Sequence, residues 1–188
     1  MRQAWYDARS SSGCSHAPDM PLVKRLVVDP DACVGCESCA MRCSLEKTAT
    51  VNPAWSRVHI SKREIEGLNI PLLCHHCDDP RCVQACPLHC IVRDETSGTV
   101  QLIEAICNGC RLCLDACLYA GPKGVPRPPT QPGRSAAIKV LCDLCDGHPV
   151  CVEFCPTGAL RFVDDDMAVS AADERVKARV ATLLGRCR

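Results

Sequence analysis

Hydrophobic positions in this chain come in short, strand-length bursts. Val23-Lys24-Arg25-Leu26-Val27-Val28 is the first, closed by the turn-forming Asp29-Pro30-Asp31. After the proline turn of Val51-Asn52-Pro53, alternation predicts a second short strand over 57–60. Cys90-Ile91-Val92 and Thr99-Val100-Gln101-Leu102-Ile103, joined by Thr96-Ser97-Gly98, predict a β-hairpin. Two more short strands are predicted over 137–141 and 160–163, the latter ended by Asp164-Asp165-Asp166. Sustained helical periodicity is predicted over 170–188. There Ala172, Val176, Val180, Leu183 and Leu184 share one face. Ser170 with Asp173 reads as its N-terminal cap, and Asp173–Lys177 as an i,i+4 ion pair.

The stretches between these bursts divide the chain. Residues 1–21 are polar and read as a flexible extension, either a loose tail or a docking arm anchored by Trp5 and Tyr6. Residues 121–134, with Pro122, Pro126, Pro128, Pro129 and Pro132, read as an extended crossing. The extension lacks the apolar core of a signal peptide or a twin-arginine signal. No stretch is apolar and long enough to span a bilayer. The expected location is cytoplasmic, unless a partner's signal carries the chain across a membrane.

Composition changes the picture through one residue type. The chain has 188 residues, 47% of them hydrophobic, but 19 are cysteine and only 3% are aromatic. So few rings cannot build a large side-chain core, and metal clusters would fill the centre instead. Nineteen is odd, which disfavours a pure disulfide scaffold. The formal charge of +0 would fall to roughly −8 with four clusters bound. No basic run suggests nucleic acid.

Sixteen of the nineteen cysteines form four runs of four. The first is Cys33-x2-Cys36-x2-Cys39-x3-Cys43, the spacing of a bacterial [4Fe-4S] loop, in which Gly35 lets the backbone pass close to the cluster. The second is Cys74-x2-Cys77-x4-Cys82-x3-Cys86 and the third Cys107-x2-Cys110-x2-Cys113-x3-Cys117. The fourth is Cys142-x2-Cys145-x5-Cys151-x3-Cys155. Such runs imply four [4Fe-4S] clusters, each taking three thiolates from one run and one from another. The hairpin makes runs two and three partners, which leaves runs one and four to pair across the chain. The fold class that follows is α+β: two nested ferredoxin-like halves with short hairpins and short helices around four clusters, plus a C-terminal amphipathic helix. Residues 22–163 form the four-cluster domain, with an outer half (22–70 with 135–163), an inserted half (71–120) and the crossing (121–134). A helical extension spans 164–188.

With these runs the chain resembles the four-cluster ferredoxin-like electron-transfer subunits, the small or beta subunits of dimethyl sulfoxide reductase, formate dehydrogenase and related molybdenum or tungsten enzymes. The resemblance covers 22–163 and includes Lys139-Val140-Leu141-Cys142-Asp143-Leu144-Cys145. It departs only at Ser44 and Leu118, where a proline often follows the last cysteine. The resemblance implies that Cys33, Cys36 and Cys39 share a cluster with Cys155, and Cys142, Cys145 and Cys151 with Cys43. It also implies that Cys74, Cys77 and Cys82 take Cys117, and Cys107, Cys110 and Cys113 take Cys86. A narrower likeness, over Cys43-Ser44-Leu45 and Asn52-Pro53-Ala54-Trp55-Ser56-Arg57-Val58, is to the small subunits that accompany tungsten aldehyde oxidoreductases.

Cys90 reads as a small buried packing residue, and Cys14 and Cys187 as incidental thiols. His75 and His76 read as surface or supporting residues of the second loop, since thiolates saturate the site. Arg42, Arg81 and Arg111, beside ligands, would raise a reduction potential or be solvated. No Ser/His/Asp grouping, dinucleotide fingerprint or P-loop is present, so no catalytic residue is expected. The expected role is therefore a relay between a catalytic molybdenum or tungsten subunit and a redox partner such as a flavin subunit. A free diffusible polyferredoxin and a zinc-bound interaction module are the competing readings, and the two extensions are candidates for self-association.

Overall fold

The structure is a computed structural model that describes residues 24–63, 65, 67–119, 125–126, 137–138, 141–164 and 166–183. The 1–21 extension with Trp5, Tyr6 and Cys14, most of the 121–134 crossing, Leu184 and Cys187 lie outside the described residues.

Each expected strand forms, and each pairs with one neighbour. β1 (Arg25–Val28) lies antiparallel to β8 (Leu160–Val163), Arg25 opposite Val163 and Val28 opposite Leu160. β2 (His59–Arg63) pairs with β3 (Leu68–Leu72), which the sequence reading did not anticipate. Pro71 in β3 breaks the alternation, and is tolerated because β3 has a partner on one side only. β4 (Ile91–Arg93) and β5 (Val100–Leu102) form the expected hairpin. β6 (Val125–Pro126) and β7 (Ala137–Ile138) pair over two residues each, and residues 139–140 of the strand expected over 137–141 lie outside the described residues.

The helices α1 (Ser38–Thr48), α2 (Arg81–Gln84), α3 (Leu112–Asp115) and α4 (Val150–Glu153) each carry cysteines. All but α1 are a single turn, because loop and turn geometry around the cysteines leaves no room for more. α1 is closed by Ala49 in the left-handed region, its N–H donating to the Leu45 carbonyl. The fully buried Ser44 is satisfied on both sides, donating to the Met41 carbonyl and accepting from Asn52 N–H. α1 packs on α4, and α2 on α3.

The C-terminal helix α5 spans Asp166–Leu183. It begins before the expected start at 170, so Ser170 lies inside it rather than capping it. Ala172, Val176 and Val180 are buried, as the periodicity predicts. They pack α5 across β1 and β3, with Ala172 meeting Val27 and Val163. Each buried valine stabilises the fold by roughly 1.5–3 kcal/mol. The main core joins Leu26, Val28, Ile70, Leu73, Leu160, Val176 and Val180 to the cysteines Cys39, Cys43 and Cys151. A smaller core surrounds Ile91 and Val100 with Cys74, Cys86 and Cys90. Thiols therefore occupy places that larger apolar side chains fill in an ordinary small domain.

Candidate metal-cluster sites

The same backbone device opens all four cysteine loops. Two residues after the first cysteine of each run, φ is positive: Gly35 at 70°, His76 at 47°, Gly109 at 74° and Leu144 at 56°. This left-handed residue reverses the chain between two cysteines and turns successive N–H groups toward the inside of the loop. Glycine does this without strain, whereas His76 and Leu144 each incur about 1–2 kcal/mol. His76 is held there because its Nδ1 accepts the Val100 N–H at 2.8 Å. In the first and third loops a second left-handed residue, Glu37 (62°) or Arg111 (66°), leads straight into α1 or α3.

The four runs are brought together in pairs. Cys33, Cys36, Cys39 and Cys155 line one small cavity, together with Val34, Ile60 and Pro71. Cys142, Cys145 and Cys151 face Cys43, close enough that charge on one would repel charge on the next. Cys77 stands in the same relation to Cys82 and Cys117. A further cavity is lined by Cys86, Cys90, Cys107, Cys110 and Cys113. Cys36 and Cys110 are exposed, while Cys39, Cys43, Cys74, Cys86 and Cys151 are buried.

The residues present fit metal clusters. None of the 17 described cysteines is in a disulfide. Burial, reinforced by neighbouring thiols, pushes the Cys39 and Cys142 thiols up to about 12 and Cys77 to about 11. Cys151 is pushed up further for the same reasons. Thiolates packed this closely need a compensating cation, and metal binding would supply it. Backbone N–H groups already point at sulfur, from Arg57 to Cys43 Sγ at 3.4 Å and from Leu144 to Cys142 Sγ at 3.4 Å. Three buried nitrogens beside cysteines, Arg42 Nε, His75 Nε2 and His76 Nε2, have no hydrogen-bond partner among the described residues. Burial lowers the His76 pKa to about 4, so the ring is neutral at neutral pH. With its Nδ1 accepting, the ring proton sits on Nε2, an unmatched donor of the kind a cluster sulfur accepts.

Around the loops lie polar contacts that the sequence did not reveal. Asp143, between Cys142 and Cys145, is bridged by Lys47 Nζ at 2.9 Å and by Arg57, and accepts Cys145 N–H at 3.1 Å. Burial alone would raise its carboxyl, but the Lys47 and Arg57 bonds outweigh that and hold it at about 2. Asp78 takes a bidentate pair from Arg25 at 2.8 and 2.6 Å and a bond from Arg93 at 2.9 Å, tying β1 to β4. Tyr119 stacks on His75, ring centroids 3.9 Å apart. Asp173 of α5 joins the two: its Oδ1 lies 3.1 Å from His75 Nδ1 and its Oδ2 accepts the Tyr119 hydroxyl at 3.0 Å. Burial would raise the Asp173 pKa, but these two groups prevail and hold it below the usual carboxylate range.

Several expectations about single residues change here. His75 and His76 are 7% and 6% exposed, so they are interior rather than surface groups. Asp173 turns inward to His75, so Lys177 pairs with Glu174 at 2.7 Å and not with Asp173. Arg42 lies over the Phe154 ring at 5.0 Å and pairs with Glu46. Arg81 opens α2 and Arg111 precedes α3. Cys90 is buried, as expected, but its Sγ lies 3.2 Å from Cys86 Sγ. Among the described residues no helix is long and apolar enough to cross a membrane.

Residues 65–165 match the 4Fe-4S dicluster domain. The chain is 39% identical over 130 residues to the polyferredoxin-like subunit of aliphatic sulfonate oxidoreductase from Pyrococcus furiosus, covering 69% of this chain and 70% of that one. It is 34% identical to formate hydrogenlyase subunit 2 of Escherichia coli, over 74% and 81% of the two chains. Among solved structures, the active-site complex BamBC of benzoyl coenzyme A reductase is 25% identical, covering 75% of this chain and 76% of that one, with a TM-score of 0.41.

Proposed function

This chain belongs to the 4Fe-4S dicluster domain family, and we propose that it relays electrons within an oxidoreductase whose catalytic subunit carries molybdenum or tungsten. It is a 4Fe-4S electron-transfer subunit; the identity of the metal in its partner and the number of its own clusters belong to the proposal. The observation that supports the reading is that cysteines of distant runs lie together: Cys33, Cys36 and Cys39 with Cys155, Cys43 with Cys142, Cys145 and Cys151, Cys77 and Cys82 with Cys117, and Cys86 with Cys107, Cys110 and Cys113.

In this reading Cys33, Cys36, Cys39 and Cys155 hold one [4Fe-4S] cluster, and Cys43, Cys142, Cys145 and Cys151 a second. Cys74, Cys77, Cys82 and Cys117 hold a third, and Cys86, Cys107, Cys110 and Cys113 a fourth. Two nested ferredoxin-like halves follow from that ligand order, one built on β1 and β8 and the other on β4 and β5. Each cluster supplies a one-electron station. The protein's own groups set the conditions: the loops aim N–H groups at sulfur, and the apolar residues around them exclude water. The Arg42 and His76 nitrogens add donors beside the ligands, which favours the reduced state. The exposed Cys36 and Cys110 lie in different sets, which supports an electron path open to solvent-side partners at more than one place.

The relatives named as subunits of aliphatic sulfonate oxidoreductase and formate hydrogenlyase support a catalytic oxidoreductase as one partner. A flavin-containing or other redox protein is the proposed second partner. Iron and acid-labile sulfide are to be measured on anaerobically isolated protein, with about sixteen of each per chain expected. A value near eight would sink the four-cluster count. Affinity isolation from the native cell should bring down a molybdenum- or tungsten-containing chain. Recovery of a lone, fully metallated monomer would favour a diffusible polyferredoxin.

A further inference from the structure

Cys86 and Cys155 end their runs with the same turn, and the two copies differ at one informative position. In each, proline follows the cysteine, and the residue three places on is left-handed: His89 at 49° and Gly158 at 65°. That residue donates its N–H to the cysteine carbonyl, at 3.1 and 3.3 Å. The carbonyl of the next residue accepts an N–H from the paired segment at 2.7 Å, Ile103 to Cys90 in one copy and Asp29 to Ala159 in the other. Ala159 is 2% exposed and Cys90 3%. Alanine thus suffices to pack this turn, and the thiol at 90 is not required by it.

What the thiol adds is a second sulfur at one place. Cys90 Sγ lies 3.2 Å from Cys86 Sγ, and both line, with Cys107, the cavity that Cys110 and Cys113 complete. Five cysteines therefore surround a site that needs four. The spacing of Cys107, Cys110 and Cys113 assigns three of them, leaving Cys86 and Cys90 side by side at the fourth corner.

We infer that Cys90 is an interchangeable ligand for the cluster corner that Cys86 holds, which rests on the ligand assignment proposed above. Cys86 ends the second run and holds the corner in the proposed assignment, with the Cys90 sulfur beside it. Cys90 keeps its proton and donates it toward Cys86. In the exchange that proton crosses from Cys90 to Cys86. The bond from iron to Cys86 breaks as a bond from iron to Cys90 forms. No electron is gained or lost, and iron, sulfide and total charge are conserved. The exchange lets the cluster survive damage to Cys86.

The test uses full-length protein, reconstituted anaerobically, as Cys86→Ala, Cys90→Ala and the double variant, assayed by iron content and by electron paramagnetic resonance after reduction. Cys86→Ala should keep the wild-type iron content with the spectrum of one cluster altered. The double variant should lose about a quarter of the iron. If Cys86→Ala loses as much iron as the double variant, the exchange is refuted and the ligand assignment stands. If the double variant keeps all its iron with an unchanged spectrum, the ligand assignment itself falls. Cys90→Ala gives an independent readout should Cys86→Ala not fold: an iron chelator should strip its fourth cluster several-fold faster than in wild type. Equal rates would overturn the inference.

Discussion

Gly35→Ala tests how tightly the first cysteine loop is held. The backbone at Gly35 has φ +70°, where an alanine incurs about 1–2 kcal/mol. A Cβ there would also sit 2.5 Å from Asn69 Oδ1 and 2.8 Å from Asn69 Cγ, on β3. That amide is the end of a short side chain and can swing aside, so the clash adds about 1 kcal/mol. Together these give about 2–3 kcal/mol, or roughly thirty- to a hundred-and-fiftyfold in the opening of the loop. The assay is the rate at which a chelator removes iron from the holo-protein. Gly35→Ala should speed the loss by about that factor, and adding Asn69→Ala should recover the part due to the clash, about fivefold. Gly67→Ala is the control. It has the same kind of backbone (φ +62°) but no described residue within 4 Å of the added carbon, and it sits between β2 and β3. It should leave iron loss unchanged. A Gly35→Ala protein within twofold of wild type would refute the reasoning.

Asp173→Ala removes the acceptor shared by His75 and Tyr119 and should destabilise the docking of α5 by about 2 kcal/mol. Amide exchange should accelerate some thirtyfold along α5 and around Tyr119, and unchanged protection there would count against the contact. Asp143→Ala leaves Lys47, Arg57 and the Cys145 N–H without their acceptor. Because Asp143 is partly exposed, the expected cost is about 1–2 kcal/mol. It should appear as a lower temperature of cluster bleaching, with a smaller salt dependence than wild type. Stripping all the metal should expand the chain, since so many buried thiols replace ordinary core side chains. A hydrodynamic radius unchanged on metal removal, measured under reducing conditions, would contradict that.

The cysteine spacing made the four runs legible, because ligand geometry constrains sequence more tightly than packing does. Gly35 and Gly109 could be read as left-handed positions from residue type. His76 and Leu144 take the same conformation with side chains that disfavour it, so the sequence hides them. The β4–β5 hairpin was visible from its turn residues. β3 was not, since Pro71 interrupts its pattern and its strand character depends on β2. The C-terminal helix showed its buried face at Ala172, Val176 and Val180, yet the partner of Asp173 was misassigned. A local i,i+4 rule gave way to His75 and Tyr119, which lie far away in the chain and could be known only from the fold.

The pairing of β1 with β8 bears on how the molecule is made. A ribosome delivers Cys33 to Cys39 early, but their neighbour Cys155 and the strand opposite β1 come late. The segment carrying β4, β5 and the second and third cysteine runs emerges in between and contains its own pairing partners. During synthesis, therefore, the enclosed segment can close while the first loop waits with its thiols uncovered. That interval is when oxygen or a stray metal ion does most harm. The site that joins the first loop to Cys155 can therefore be completed only after the C-terminal part of the chain has emerged.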